Sequence, residues 1–181
     1  MLSVKLNLSD MDFVIRNVKP DEYQQLGLLM VDVYSKLEGF PKPDEQPAYY
    51  NLLRNVGDFT QKDTTELLGA FNEANELLAG VVFFGDMQHY GSGGTATSEK
   101  NAAGFRLLAV SNAARGMGLG KLLTLKCIEK AKEMNLNQVI IHTTMAMKPA
   151  WSMYEKIGFT RSEDLDFRQG NLEVFGFRYR F

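Results

Sequence analysis

Residues 112–121 read NAARGMGLGK: Gly116, Gly118 and Gly120 alternate with other residues, with Arg115 before them and Lys121 after. A glycine inside a helix costs about 1 kcal/mol relative to alanine. Three of them, just where a leucine-rich segment starts, imply that something approaches the bare main chain closely. The chemistry such a stretch performs is anion binding. The first turn of a helix has unpaired N–H groups and a partial positive charge, and glycine puts no Cβ between those amides and a phosphate. Arg115 and Lys121 add charge at the rim. Two nucleotide patterns fail letter by letter. A G-x-x-x-x-G-K-[ST] loop would need glycine at 115 and Ser or Thr at 122, where the chain has Arg115 and Leu122. G-x-G-x-x-G would need glycine at 121 or 123, where the chain has Lys121 and Leu123. On spacing alone, a simple tight turn stays open as an alternative.

The elements around this loop can be read from periodicity. AGFRLLAV (103–110) leads into it as a strand, and LGKLLTLKCIEKAKEM (119–134) leaves it as a helix. Leu122, Leu125 and Ile128 lie on one edge of that helix's apolar face, and Leu123, Cys127 and Ala131 on the other. QVIIHTT (138–144) is the next strand, so 103–144 is a βαβ unit with parallel strands. KPAWSMYEKIG (148–158) is a helix started by Pro149 and stopped by Gly158. Upstream, FVIRNV (13–18) is a strand, and Val4, Leu6 and Leu8 alternate as in a short strand or an ordered tail. Leu26, Leu29, Met30, Val33 and Leu37 line one face of a helix, and Tyr49, Leu52, Leu53 and Val56 line a second. TELLGAF (65–71) and LLAGVVFFG (77–85) are apolar strands joined by NEANE. Residues 86–101 are rich in Gly, Ser and Thr, and the run GSGGTATS within them has no apolar anchor, which predicts a mobile surface loop. FTRSEDLDF and EVFGFRYRF close the chain as two strands around RQGN. One α/β domain over 1–181 fits this order.

Composition sets the limits. The chain has 181 residues, 45% hydrophobic and 23% charged, with a formal net charge of −2. That balance gives no reason to expect a nucleic-acid partner. Cys127 is the single cysteine, so no internal disulfide forms and a reducing, cytoplasmic setting is expected. With two histidines and one cysteine, no metal site is expected. No apolar run approaches the roughly 18 residues of a membrane span, so no membrane partner is expected either.

RLLAVSNAARGMGLGKLL resembles the acyl-CoA-binding core of the GNAT superfamily of N-acetyltransferases, whose R/Q-x-x-G-x-G/A signature is filled by Arg115, Gly118 and Gly120. AWSMYEKIGF (150–159) resembles the family's A-x-x-L-Y-E-K-x-G-F pattern, with Met153 in place of Leu. The two motifs, at the family's spacing, carry the resemblance over about residues 65–160. It implies a mixed, mostly antiparallel central sheet of about seven strands, with a parallel βαβ core and flanking helices. It also implies acetyl-CoA as cosubstrate. Its pantetheine arm would lie on the main chain of Leu108, Ala109 and Val110. Its pyrophosphate would lie on Arg115, Gly116, Met117, Gly118, Leu119, Gly120 and Lys121. Transfer would be direct, to a primary amine of a small molecule or peptide, and a homodimer is left open.

Tyr154 falls at the family's general-acid position, where a phenol can protonate the leaving thiolate; packing against Trp151 and Ile157 is its alternative role. The family's frequent glutamate on the strand before the loop falls on Gly104, and its Asn seven residues before the tyrosine falls on Met147. His142 is the substitute base, since imidazole titrates near neutrality, with a structural histidine as the alternative. His89, Glu99 and Glu173 are weaker choices, and water relay is equally open. The absent Glu and Asn keep a rival in view, an acetyl-CoA-binding module without turnover. By the same resemblance, the two N-terminal helices and residues 86–101 would border the acceptor, with Tyr34, Phe40, Tyr49 and Tyr50 making that region aromatic.

Overall fold

The computed structural model describes residues 4–8 and 11–181, with side chains from Asp12 onward. The strands are β1 (Val4–Leu8), β2 (Met11–Asn17), β3 (Thr65–Phe71), β4 (Leu77–Phe84), β5 (Ala102–Val110), β6 (Gln138–Thr143), β7 (Thr160–Arg161), β8 (Phe167–Gln169) and β9 (Leu172–Arg180). The helices are α1 (Tyr23–Ser35), α2 (Pro47–Arg54), α3 (Leu119–Glu133) and α4 (Lys148–Ile157). The strands form one sheet in the order β1-β2-β3-β4-β5-β6-β9-β7, with β8 hairpinned onto β9. Every pairing is antiparallel except β5 with β6, the two strands joined through α3.

The nine strands exceed the seven expected. The alternation of Val4, Leu6 and Leu8 is a paired strand, and FTRSEDLDF is broken into β7, a 3₁₀ turn at Glu163–Leu165 and β8. The break has a physical cause. The hydroxyl of Ser162 bonds the Asp164 carboxylate, and the Arg178 guanidinium reaches both residues. This tucks Leu165 completely out of solvent.

Both faces of the sheet are covered, which is why β3 and β4 read as continuous apolar runs. Leu67, Phe71, Val82 and Phe84 face α1 and α2, while Leu68, Ala70, Val81 and Phe83 face α3. On α1, Leu26, Met30 and Tyr34 are buried, whereas Val33, and Leu37 just past the helix end, are partly exposed and line a cavity. On α3, Leu123, Cys127, Ile128 and Ala131 are buried, but Leu125 lies 41% exposed, off the predicted face. Residues 86–101 have anchors that their composition hides. Met87, Tyr90 and Ala96 are almost fully buried, and the Thr95 hydroxyl donates to the carbonyl of Asp164 at 3.1 Å.

Candidate functional site

The glycine loop folds as its composition requires. Gly118 caps α3 with φ 79° and ψ 13°, the left-handed region that glycine enters without a Cβ penalty. The first helical bond of α3 runs from the amide of Leu122 to the carbonyl of Gly118 at 3.1 Å. The amides of Gly118, Leu119, Gly120 and Lys121 therefore have no intrahelical acceptor. Those of Arg115 and Met117 are engaged in the preceding turns, at 3.4 Å from Asn112 O and Ala114 O. This leaves a patch of free amides at the mouth of a cavity of about 740 Å³ that runs between β5 and β6.

The cavity exists because β5 and β6 separate. Their parallel pairing covers only Ala102↔Gln138, Ala103↔Val139 and Gly104↔Ile140. Just beyond, β5 carries a bulge: Leu107 and Leu108 stand opposite Val81 alone, and Leu107 adopts φ 62° although it is not glycine. A bulge increases local twist and bends the strand, which swings the end of β5 away from β6. Ser111 N donates to Leu78 O at 2.8 Å, and Ala109 pairs with Gly80. Alternate residues of an antiparallel ladder turn their polar groups to opposite sides, so the main-chain N–H and C=O of Val110 face the split. The Leu108 carbonyl also leaves the ladder and accepts the Tyr34 hydroxyl at 2.9 Å.

Tyr154, on α4, is 5% exposed and lines this cavity. Its ring packs on Phe105 and Phe159, with centroids 5.9 and 5.7 Å away. Among the described residues its hydroxyl has no hydrogen-bond partner. Burial pushes the phenol well above its ordinary range, with Cys127 and Tyr90 adding to the effect. The proton therefore stays on Tyr154 throughout physiological pH. The hydroxyls of Thr143 and Thr144 are buried on the same wall and likewise have no hydrogen-bond partner among the described residues.

His142 is held at both ring nitrogens. Nε2 lies 2.8 Å from Leu165 O, which can only accept, so Nε2 carries the proton and Nδ1 presents a lone pair. Nδ1 receives the Tyr90 hydroxyl at 2.9 Å, with the Ser92 hydroxyl 3.3 Å away. Burial lowers the imidazole below its usual value, the nearby Arg106 charge acts in the same direction, and the bond to Leu165 opposes both. Burial also pushes the Tyr90 phenol up to about 12. Arg106 donates to the Tyr90 carbonyl at 2.9 Å and lines the cavity.

A sequence profile described as "Acetyltransferase (GNAT) family" matches residues 30–159. The chain belongs to the GNAT acetyltransferase family. It is 30% identical over 128 residues to the Escherichia coli (strain K12) protein named Uncharacterized N-acetyltransferase YjgM, covering 68% of this chain and 73% of that one. It is 40% identical over 55 residues to the mycothiol acetyltransferase of Arthrobacter sp. (strain FB24), but that stretch is 30% of this chain and only 17% of the relative. Among solved structures, a GNAT acetyltransferase from Staphylococcus aureus Mu50 superposes with a TM-score of 0.71 at 16% identity, covering 93% of this chain and 98% of that one. The PaiA N-acetyltransferase of Thermoplasma acidophilum, solved in complex with coenzyme A, gives 0.68 at 15% identity, covering 92% and 99%. At such identities these two show the shared fold.

Set within the GNAT fold, most of the residues expected from sequence come together. Leu108, Val110, Arg115, Gly116, Gly118, Leu119, Gly120, Lys121, His142 and Tyr154 all line the one cavity. Ala109 and Met117 do not: Ala109 is buried in the core on the α1 side of the sheet, and Met117 is half-buried against the cluster under α3. Tyr34, Phe40 and Tyr49 border the cavity, whereas Tyr50 is a core residue whose hydroxyl donates to Pro41 O at 2.6 Å. The weaker base choices lie off the cavity wall. Glu99 pairs with Arg178 at 2.7 Å, Glu173 pairs with Arg168 at 3.2 Å, and His89 takes no part in the lining.

The glutamate missing at Gly104 is sterically excluded. A Cβ there would meet Met87 Sδ at 2.8 Å, Ile140 O at 2.9 Å and Tyr90 Cδ2 at 2.9 Å. Met147, in place of the family's Asn, sits on the wall as an apolar contact. Tyr90, Ser92 and Arg106 escaped the sequence reading of the site. Tyr90 and Ser92 sit in a stretch that reads as a loop, and no local pattern marks Arg106.

Proposed function

We propose that this chain transfers the acetyl group of acetyl-CoA directly to a primary amine, with no covalent enzyme intermediate. The observation that carries the reading is the split between β5 and β6. Free helix-start amides lie at one end, Val110's unpaired main chain along one side, and the Tyr154 hydroxyl on the wall. Acetyl-CoA supplies an acyl group activated as a thioester. The residues present fit it. Gly118 and Gly120 leave the amides of the first turn of α3 uncovered, with Arg115 and Lys121 to neutralise a pyrophosphate. Val110's N–H and C=O suit the amides of a pantetheine arm, and an N–H on this edge can polarise the thioester carbonyl.

For the chemistry, one proton must leave the amine and one must reach the departing sulfur. Tyr154 gives its proton to the sulfur as the carbon–sulfur bond breaks. The amine proton passes to Ser92 Oγ as that hydroxyl gives its own to His142 Nδ1, whose lone pair the Tyr90 hydroxyl first releases and which the bond to Leu165 O keeps as an acceptor. His142 thus acts as a base through a hydroxyl, consistent with a ring already engaged at both nitrogens. The test is thiol release from acetyl-CoA across a panel of primary amines, with the N-acetyl product confirmed by mass. Tight coenzyme A binding with silence across the whole panel would overturn this reading in favour of a binding module.

A further inference from the structure

We infer that the amine acceptor carries its own negative charge, held by Arg106, on an apolar body: a zwitterion of the hydrophobic amino-acid type rather than a polyamine or other polycation. The inference deepens the acetyl-transfer reading and rests on it for the use of the cavity. Its first observation is an absence on the wall. Among the described residues, no aspartate or glutamate lines the cavity. A molecule with several positive charges would leave water here and meet Arg106, with no carboxylate on the wall to balance it.

The second observation is the state of Arg106 itself. Arg16, Arg161, Arg168 and Arg178 are each paired with a carboxylate at 2.7 to 3.2 Å. Arg106 is partly buried on β5, and its one bond is from Nη1 to the Tyr90 carbonyl. Among the described residues it has no anionic partner. A guanidinium presents five donors in a rigid fork matched to a carboxylate, so most of that fork is left for a ligand.

The third observation is the surroundings. Arg106 shares the cavity lining with Tyr49, Phe40, Phe167 and Leu172, whose side chains suit an apolar substituent. Phe167 stands edge-on to His142, with centroids 5.1 Å apart. This places the apolar wall beside the group proposed to remove the amine proton. The Arg106 charge also disfavours an ammonium nearby. It therefore helps to supply the neutral amine that attack requires, in a site whose glutamate position is sterically closed.

The experiment has two arms. Thiol release from acetyl-CoA is measured with L-phenylalanine, L-leucine, L-methionine and L-tryptophan, with their amides, and with phenethylamine and spermidine. Calorimetry on the coenzyme A-loaded protein then compares N-acetyl-L-phenylalanine with its N-methylamide, a readout that needs no turnover. Both arms use the native chain, Arg106→Gln and Arg106→Lys. The expected result is at least a tenfold preference for the carboxylate forms, abolished in Arg106→Gln, partly retained in Arg106→Lys, with coenzyme A affinity unchanged within twofold in both variants. Equal use of acids and amides, a preference for spermidine, no binding of any acid, or a matching fall in coenzyme A affinity in Arg106→Gln would overturn it. Selective binding of N-acetyl-L-phenylalanine without turnover of any amine would support this inference while sinking acetyl transfer. Turnover without carboxylate preference would do the reverse.

Discussion

Tyr154 contributes both a packed ring and a solitary hydroxyl, and Tyr154→Phe separates the two. If the hydroxyl acts in the transition state, kcat falls about 10- to 1000-fold while the KM for acetyl-CoA barely moves. Full kcat in the variant, where chemistry limits the rate, would remove Tyr154 as the acid. Because its titration is pushed far up by burial, no basic limb from Tyr154 belongs in the pH profile below pH 10. His142 sets the opposite limb. Burial moves its protonation below the ordinary imidazole range, so the limb it sets in kcat, where the acceptor is already bound, should fall in that lower range. The same limb persisting in His142→Gln would dismiss His142 as the base. The glycine loop allows a paired comparison. A Cβ at Gly120 would be no closer than 3.7 Å to Met153, Val110 and Leu108. Gly120→Ala should therefore add about 0.8–1 kcal/mol of stability, and its Cβ, directed at the Leu108 and Val110 stretch of the cavity wall, should weaken coenzyme A binding less than a side chain at Gly118. Gly118→Asn tolerates the left-handed backbone but places a side chain over the free amides. Calorimetry should show at least tenfold weaker coenzyme A binding, about 1.4 kcal/mol, and unchanged affinity would remove the pyrophosphate from this loop.

At the scale of elements, the turn that starts α1 depends on one ion pair. Arg16 bonds both oxygens of Glu22, at 2.7 and 2.9 Å, and Glu22 also accepts the amide of Lys19 at 2.8 Å. These bonds, led by the Arg16 contact, hold the Glu22 carboxyl at about 2 against an ordinary 4.5. A depressed folded value gives stability that is present above pH 4.5 and lost as pH falls towards 2. Glu22→Gln should cost about 1–2 kcal/mol at neutral pH, and chemical denaturation should show the difference closing over that window. A constant difference down to pH 2 would discount the pairing. Elements also show what was legible beforehand. α3 and its glycine loop were readable because periodicity and motif lie in one continuous stretch. The break between β7 and β8 was not, because it is made by Arg178 on β9 reaching back across the hairpin to Ser162 and Asp164 in the turn. Residues 86–101 were misread as unanchored because Tyr90 is buried against Phe84 and His142 and Thr95 bonds the carbonyl of Asp164, all partners distant in sequence. The role of Arg106 was equally hidden, since it depends on which acids the folded cavity excludes.

For the whole molecule, a ligand seated in the split would add contacts between β5 and β6 that the free protein lacks. Anything that binds only the folded state stabilises it by about 2.7 kcal/mol at a hundredfold excess over Kd, which for a chain of this size is roughly 5–10 °C in Tm. Coenzyme A should produce that shift, and Gly118→Asn should reduce it. A Tm indifferent to saturating coenzyme A would contradict a site in this split. The split has another meaning. A sheet ordinarily offers its unpaired main chain only at its two outer rims, where another protein's strand can add and aggregation begins. Here Val110 makes a third edge in the interior, with the aromatic rings of Tyr34 and Phe40 bordering the same cavity. To reach it, a neighbour's strand would have to enter between two strands of one sheet. What can be added there is a slender, amide-bearing chain that enters end-on, so the fold turns a feature that elsewhere invites misassociation into a filter for the shape of its ligand.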